Sequence, residues 1–485
     1  MLSKSITHTK TKRGKNLEQK LQASTINNRQ MSEERDIPKE HLEEKTRSPR
    51  EAYELVHSES FFDANPRLNM ASFVTTWMEP EAERIIQENL SKNFIDKPIY
   101  PRVIDVQDRC VTMIANMLHA SPNDFPTGTS TIGSSEAIHL AGLAMKWKWK
   151  KFWENKNMTP PGKPQLIMGT NVQVCWKKFT RYFEVEEILV DIDDNNRMDL
   201  SQVKEKLNEC TIGVVGILGN TYSGEFDDIN QLNDIVEEYN TQQNSWNIPI
   251  HVDAASGGFV APFAEELKHI VWDFQLNNVR SINLSGHKYG LVYPGLGWAI
   301  WRDKNDIDKD LIFEISYLGE SQEDFGLNFS RGASNVYAQY YNFVRLGITG
   351  YSQVMNQLMH IYHQIKNYIP AIIINEEQVF DLVSHDNGLP LVCIKLKQET
   401  KYAQIEHEPL KTIAYKMKER GWVLPVYPMA KPKQKETVMR MVIKDGFNED
   451  MAQKLMEDLQ WATKEILTPK HHQEKELLCT EAMHC

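Results

Sequence analysis

Ile248–Ser256 reads IPIHVDAAS: an apolar run that ends on an aspartate and then on small residues. Three other runs have the same character. They are Thr211–Thr221 (TIGVVGILGNT), Ser281–Ser285 (SINLS) and Gly297–Trp301 (GWAIW). Each is short, apolar and closed by turn residues, the pattern of a strand buried on both faces. Between and around them lie segments of helical period, such as Glu81–Asn93 (EAERIIQENLSKN) and Asp108–Ala120 (DRCVTMIANMLHA). Buried strands alternating with helices predict an α/β sheet, largely parallel.

The same contrast predicts the domain organisation. Residues 1–67 form a polar, densely charged arm, too poor in apolar surface to bury much alone, part of which becomes helical by packing on a partner. Residues 68–358 carry the α/β pattern. Residues 359–468 read as a small α+β domain. Leu389–Lys397 (LPLVCIKLK) and Val438–Lys444 (VMRMVIK) have strand character there, and Leu410–Arg420 and Glu449–Leu467 have helical character. Residues 469–485 form a polar tail after a helix-stopping proline.

Composition narrows the class. The chain has 485 residues, 41% hydrophobic and 25% charged, and a formal net charge of -11. The acidic balance argues against a nucleic-acid partner. No apolar run is long enough to span a bilayer. Six cysteines without CxxC spacing read as reduced thiols of an intracellular, cytoplasmic protein. The basic, Ser/Thr-rich Met1–Lys20 lacks the apolar core of a secretory signal. Its scarcity of acidic residues leaves a transit peptide open, and a solvated arm is the simpler reading. In Ala144–Trp153 (AMKWKWKKFW) basic and aromatic residues alternate, as on a stacking surface for single-stranded nucleic acid or a membrane. The favoured alternative is the far end of a helix that begins near Ser134. Its lysines would complement the helix dipole and its tryptophans would bury.

Three stretches bear chemistry. Thr131–Ala137 (TIGSSEA) opens a helix with a glycine and two serines, whose free N–H and hydroxyl groups suit a phosphate, although serine is also a common N-cap. Asp253 ends a buried strand and needs a donor or cationic partner, or a helix N-terminus, to be tolerated there. Ser285–Gly290 (SGHKYG) places Lys288 beside a strand end, where a desolvated amine becomes a neutral nucleophile. A phosphate cradle, a carboxylate for a pyridinium nitrogen and a Schiff-base lysine together are what pyridoxal 5'-phosphate requires.

With these stretches in view, the chain resembles glutamate decarboxylase of the bacterial and plant type, among the fold-type I pyridoxal-phosphate enzymes. The resemblance rests on TIGSSEA, HVDAASGGF, SGHKYGL and LGWAIWRD in that order. NFIDKPIYP, VCWKKFTRYFEVE, YLGE with NFSR, and AQYYNFVRLG add to it, and it covers about residues 65–465. It implies a large domain with a mostly parallel seven-stranded sheet flanked by helices, plus the small C-terminal domain. It implies a lyase that converts L-glutamate to 4-aminobutanoate and carbon dioxide and consumes a proton. The neighbouring alternative is decarboxylation of aspartate, cysteine sulfinate or an aromatic amino acid.

It also implies roles, position by position. Lys288 would bond the cofactor, Asp253 would pair with the ring nitrogen, Ala255 would lie under the ring and Gln173 over it. Thr221 would approach the ring hydroxyl. Ser134, Ser135, Ser285 and His287 would hold the phosphate, with Ser330 reaching across a dimer. Arg440 would meet a substrate carboxylate. Ser72 and Phe73 would line the distal pocket with Asp96 of the partner subunit, and Tyr317 would lie on a closing loop. Lys288 or a residue of that loop would return the proton to Cα. Ser72 stands where the family carries threonine, which bears on substrate fit, and Lys177 receives no role. The family forms dimers, and its N-terminal arms bring dimers into hexamers. The tail lacks the tryptophan-plus-basic cluster of members that bind calmodulin, so calmodulin is not expected as a partner. His471, His472 and His484 in the tail titrate near neutral pH when solvated.

Overall fold

The computed structural model describes residues 37–121, 123–242, 246–316, 322–397 and 408–468. Contacts divide the chain after Asp63. In the first part, helix α1 (Pro49–Glu59) is capped by the Ser48 hydroxyl, which accepts from the Glu51 N–H, and buries none of its residues.

The second part, from Ala64 on, carries both sheets. Helices α2 (Pro80–Glu88) and α3 (Pro101–Met117) each begin on a proline, which costs nothing where the N–H would be unpaired anyway. Strand β1 (Thr127–Thr131) leads into α4 (Ser134–Asn155), and β2 (Gln165–Gly169) into α5 (Val174–Tyr182). Strand β3 (Glu186–Val190) is followed by α6 (Leu200–Lys206), and β4 (Thr211–Ile217) by α7 (Ile229–Gln242). Then come β5 (Ile250–Asp253), β6 (Val279–Leu284) and β7 (Gly297–Trp301).

These seven strands form one sheet in the order β1-β7-β6-β5-β4-β2-β3. Pairing is parallel from β3 through β6, and β7 runs antiparallel to both of its neighbours. Every residue of β4, β5 and β7 is buried, as expected for a sheet covered on both faces. Alternation sorts the two faces. Leu166, Met168, Ile212 and Val215 pack with Trp149, Trp153, Trp176 and Phe179 of α4 and α5. Ile167, Val214, Val252 and Ile282 join the larger core on the other side.

A ribbon of β8 (Phe313–Ile315) and β9 (Gln322–Asp324) precedes α8 (Ser334–Tyr368), whose helical path breaks at Gly347. Strands β10 (Ile373–Ile374) and β11 (Glu377–Gln378) make a short hairpin. A four-stranded antiparallel sheet follows, built from β12 (Phe380–Leu382), β13 (Leu391–Leu396), β14 (Val426–Pro428) and β15 (Thr437–Val442) in the order β12-β13-β15-β14. Helix α9 (Pro409–Lys418) packs on it, α10 (Glu449–Leu467) packs against α9 and α8, and side chains of both sheets share the large core.

The basic and aromatic stretch lies at the end of α4. Trp149 and Trp153 are buried, and the Trp149 indole donates to the Glu209 carbonyl at 2.8 Å. Lys150 lies 4.7 Å from the Trp147 ring. The stretch is therefore a helix face packed on the sheet, with its lysines outside. Among the described residues, no helix is long and apolar enough to cross a membrane.

Candidate active site

The carboxyl ends of β4, β5 and β6 open onto one cavity of about 980 Å³, the place where open α/β sheets bind ligands. Its lining brings together Ser72, Phe73, Ser134, Ser135, Gln173, Thr221, Asp253, Ala255, Ser285, His287, Lys288 and Arg440. These come from segments more than 300 residues apart in the chain. Asp96 and Ser330 are not in that lining. They lie near each other instead. Asn93 contacts the Ser330 hydroxyl at 3.5 Å, and the Asp96 N–H donates to the Asn93 carbonyl at 3.3 Å. Tyr317 and the tail histidines lie outside the described residues.

Asp253 is 5% exposed. A bare carboxylate at that depth would cost several kcal/mol, so its donors matter. The Trp176 indole donates to Oδ2 at 2.9 Å. The Asn283 amide and the Ala255 N–H donate to Oδ1 at 3.0 and 3.2 Å. Asn283 is held in turn by His251 at 2.8 Å, and His251 by the Ser281 hydroxyl at 2.7 Å. Burial lowers His251 to about 4, so that ring stays neutral and serves as a hydrogen-bond relay. No helix N-terminus is needed to satisfy Asp253. Neither Trp176 nor the Asn283–His251 chain was assigned a part from the sequence. Trp176 stood in a quoted motif, but only pairing of β5 with β6 reveals the relay.

Lys288 is treated differently. Its amine donates to the Ser256 hydroxyl at 3.0 Å and sits 5.3 Å from the Phe73 ring. Burial lowers its pKa, and Asp253 only partly opposes that. The Thr75 hydroxyl and N–H fix the backbone here, donating to the Lys288 and His287 carbonyls at 2.6 and 2.9 Å. Gly286 permits the close packing behind it, because a Cβ there would meet Gln339 Oε1 at 2.6 Å.

At the start of α4 the N-cap is Gly133, with no side-chain cap bond. Ser134 and Ser135 are thus the first helical residues, and capping is not their task. Ser134 Oγ lies 2.6 Å from Ser285 Oγ, which joins the helix start to the end of β6. His287 accepts from the Leu296 N–H at 3.3 Å, and burial together with Lys288 lowers it to about 4. Glu136, one turn into the helix, accepts from the Ile132 N–H and from the N–H groups of Leu327 and Asn328. It thereby pins two further wall residues to the cavity. Gln173 caps α5 by accepting from the Cys175 N–H at 2.6 Å.

Arg440, on β15, donates to the carbonyls of Thr221 and Ala71, the latter at 2.7 Å. Its guanidinium lies 5.0 Å from the Phe73 ring, and its buried Nε has no hydrogen-bond partner. His139 Nε2 and both polar atoms of the Asn171 amide are likewise buried and unpartnered in this lining. Unsatisfied polar groups of this kind mark a site built for a polar guest. A phosphate-bearing, flat, aldehyde-type cofactor fits the donor set: hydroxyls at a helix start, a buried carboxylate at the sheet end, and one amine whose charge burial disfavours.

Fold and site together define an open α/β-sheet protein in which a buried lysine and a buried carboxylate line one cavity at the strand ends. Residues 42–397 match the pyridoxal-dependent decarboxylase conserved domain. The chain is 45% identical to glutamate decarboxylase 5 of Arabidopsis thaliana over 418 residues, covering 86% of this chain and 82% of that protein. It is 43% identical to a glutamate decarboxylase of Lactococcus lactis over 450 residues, 92% and 94% of the two chains. The solved glutamate decarboxylase of Lactobacillus brevis superposes with a TM-score of 0.84 at 39% identity, over 90% and 96% of the two chains. The chain belongs to the pyridoxal-dependent decarboxylase family.

Proposed function

We propose that this chain decarboxylates L-glutamate to 4-aminobutanoate and carbon dioxide, taking up one proton per turnover. The observation that carries the proposal is the single cavity that joins Lys288, the triply hydrogen-bonded Asp253 and Arg440. The relatives' substrate supports the choice of glutamate.

Bound pyridoxal phosphate supplies an electron sink for the charge that develops at the substrate Cα. The chain's residues do the rest. Ser134, Ser135, Ser285 and His287 would hold the phosphate end. Asp253, which accepts from three donors, would pair with the ring nitrogen. Ala255 and Gln173 would bracket the ring, and Thr221 would approach its hydroxyl. Lys288 would attach the cofactor, and burial already disfavours its ammonium form. Arg440 orients a substrate carboxylate. Phe73 and the Ser72 hydroxyl shape the distal end and exclude water, which strengthens these interactions. Lys288 or the loop bearing Tyr317 returns a proton to Cα.

A dimer completes the reading, with Asp96 and Ser330 acting in the cavity of the partner subunit. A cytoplasmic setting agrees with the reduced-thiol composition.

The test is carbon dioxide and 4-aminobutanoate release with added cofactor, across glutamate, aspartate, cysteine sulfinate and aromatic amino acids. Glutamate is expected to be the preferred substrate. Preference for another amino acid overturns the assignment. Borohydride reduction is expected to leave the cofactor on the Lys288 peptide, and label on a different lysine removes Lys288 from its role.

A further inference from the structure

Glu225 is 1% exposed, belongs to no part of the cavity lining, and has one carboxyl oxygen without a hydrogen-bond partner. Its position explains why such a group is tolerated. It closes the turn that follows β4. The Asn220 N–H donates to the Glu225 carbonyl at 2.9 Å, and the Asn220 amide oxygen accepts from the N–H groups of Tyr222 and Ser223 at 3.0 and 2.8 Å. Thr221, at the tip, offers its carbonyl to Arg440.

The outer side of the same turn is fastened to the loop between β12 and β13. The Glu225 carboxyl accepts from the His385 N–H at 2.8 Å. Glu225 forms an antiparallel bridge with Gly388, and the Leu389 N–H donates to the Gly224 carbonyl at 2.9 Å. The contact is close: a Cβ on Gly388 would meet the Gly224 carbonyl at 2.7 Å. The turn that anchors Arg440 is therefore held from behind by one side chain and two backbone contacts.

We infer that Glu225 is a positioning residue: as a neutral acid it clamps the Asn220–Thr221 turn, and with it Arg440, to the small sheet, and its ionisation loosens that clamp. The inference rests on reading the large cavity as the decarboxylation site.

The surroundings favour the neutral form. Arg197 and Asp193 face Glu225 from the segment after β3, and Asp386 and His385 from the small-sheet loop. Tyr362 of α8 and Cys393 of β13 complete the shell. Burial is the dominant influence and pushes the carboxyl up to about 7. The His385 N–H bond and, after it, the attraction of Arg197 oppose this without overcoming it, and the two aspartates reinforce it. Asp386 is itself paired with Lys366. His385 is held below its usual value by burial and by the neighbouring cations Arg197, Lys433 and Lys366, and its backbone supplies the N–H. Ionised, Glu225 has one oxygen served by one backbone donor and another served by none, a costly state at this depth.

The sign follows. The folded form prefers the protonated acid, so the clamp is intact at acidic pH and weakens as pH rises through about 7. Hydrogen–deuterium exchange on the full-length chain, at pH 5.5 and 8 and corrected for intrinsic rates, reads this without turnover. Protection in residues 218–226 and 384–389 is expected to fall about tenfold at pH 8 in the wild type. It should stay nearly constant in Glu225→Gln, which keeps the acceptor and cannot ionise. A parallel loss in the variant overturns the inference. Equal protection of the wild type at the two pH values overturns it whatever the variant does. In turnover, the substrate KM of the wild type is expected to rise with pH more steeply than that of Glu225→Gln, with kcat less affected. Failure of glutamate turnover alone would bear on the proposed function, because the exchange measurement is independent of it.

Discussion

Asp253 and Lys288 line one cavity, yet the fold gives the first three donors and the second a single hydroxyl. The difference is chemical. A carboxylate that must remain an anion in a dry site needs its charge shared, and an amine that must be neutral to react needs the opposite. Trp176→Phe keeps the ring and removes one donor, so it isolates the first requirement. The expected result is a stability loss of about 1–3 kcal/mol in denaturant titration and weakened cofactor binding. An unchanged midpoint would mean that the indole is only packing. His287 gives a second residue-scale prediction. Burial holds it near 4, so the unfolded chain binds its proton more readily. The stability it contributes is full above about pH 6.5 and is lost as pH falls toward 4. His287→Gln should flatten that acid limb by up to about 3 kcal/mol in urea midpoints recorded across the window. Parallel curves for the two proteins would refute it.

At the scale of elements, the site depends on how closely the start of α4 approaches β7 and the end of β6. Gly297 is the critical contact: a Cβ there would meet the Gly133 carbonyl carbon at 2.6 Å and the Ser134 nitrogen at 2.8 Å. Gly297→Ala should push the helix start off the sheet. The expected loss is about 1–3 kcal/mol of stability from overpacking and at least tenfold in pyridoxal phosphate affinity, read by fluorescence titration. Wild-type affinity would show that the cradle tolerates the shift. The element scale also explains what was legible in the chain. Strands β4 to β7 could be read because a sheet covered on both faces demands unbroken apolar runs. The Ser134, Asp253 and Lys288 stretches could be read because each combines residues that are costly unless used. Strand β1, TGTST, could not, since it pairs only with β7 at the sheet edge and carries no apolar run. The Asp253–Asn283–His251 relay was hidden because register between β5 and β6 creates it. The Glu225 clamp was hidden because its partners lie about 160 residues away.

At the scale of the whole molecule, the cavity gathers most of the proposed site residues and leaves out two of the described ones. Asp96 and Ser330 sit together beside Asn93, outside the cavity that holds Lys288. The backbone keeps them together: the Phe94 N–H donates to the Arg331 carbonyl at 2.8 Å, and Asn93 bridges Gly332. A two-fold dimer brings the same surface of each subunit to the other, so a pair absent from one cavity can complete the partner's. Complementation tests this directly. Lys288→Ala and Asp96→Ala are each expected to be nearly inactive as homo-oligomers. In a dimer that contains one of each, one cavity combines an intact Lys288 with an intact Asp96 from the other chain, while the second cavity lacks both. Random pairing makes half of the dimers mixed, so co-expression should restore about a quarter of wild-type turnover. Restoration to that level requires sites shared between chains. If the mixture shows no more activity than the two variants assayed separately, Asp96 acts within its own subunit or not at all.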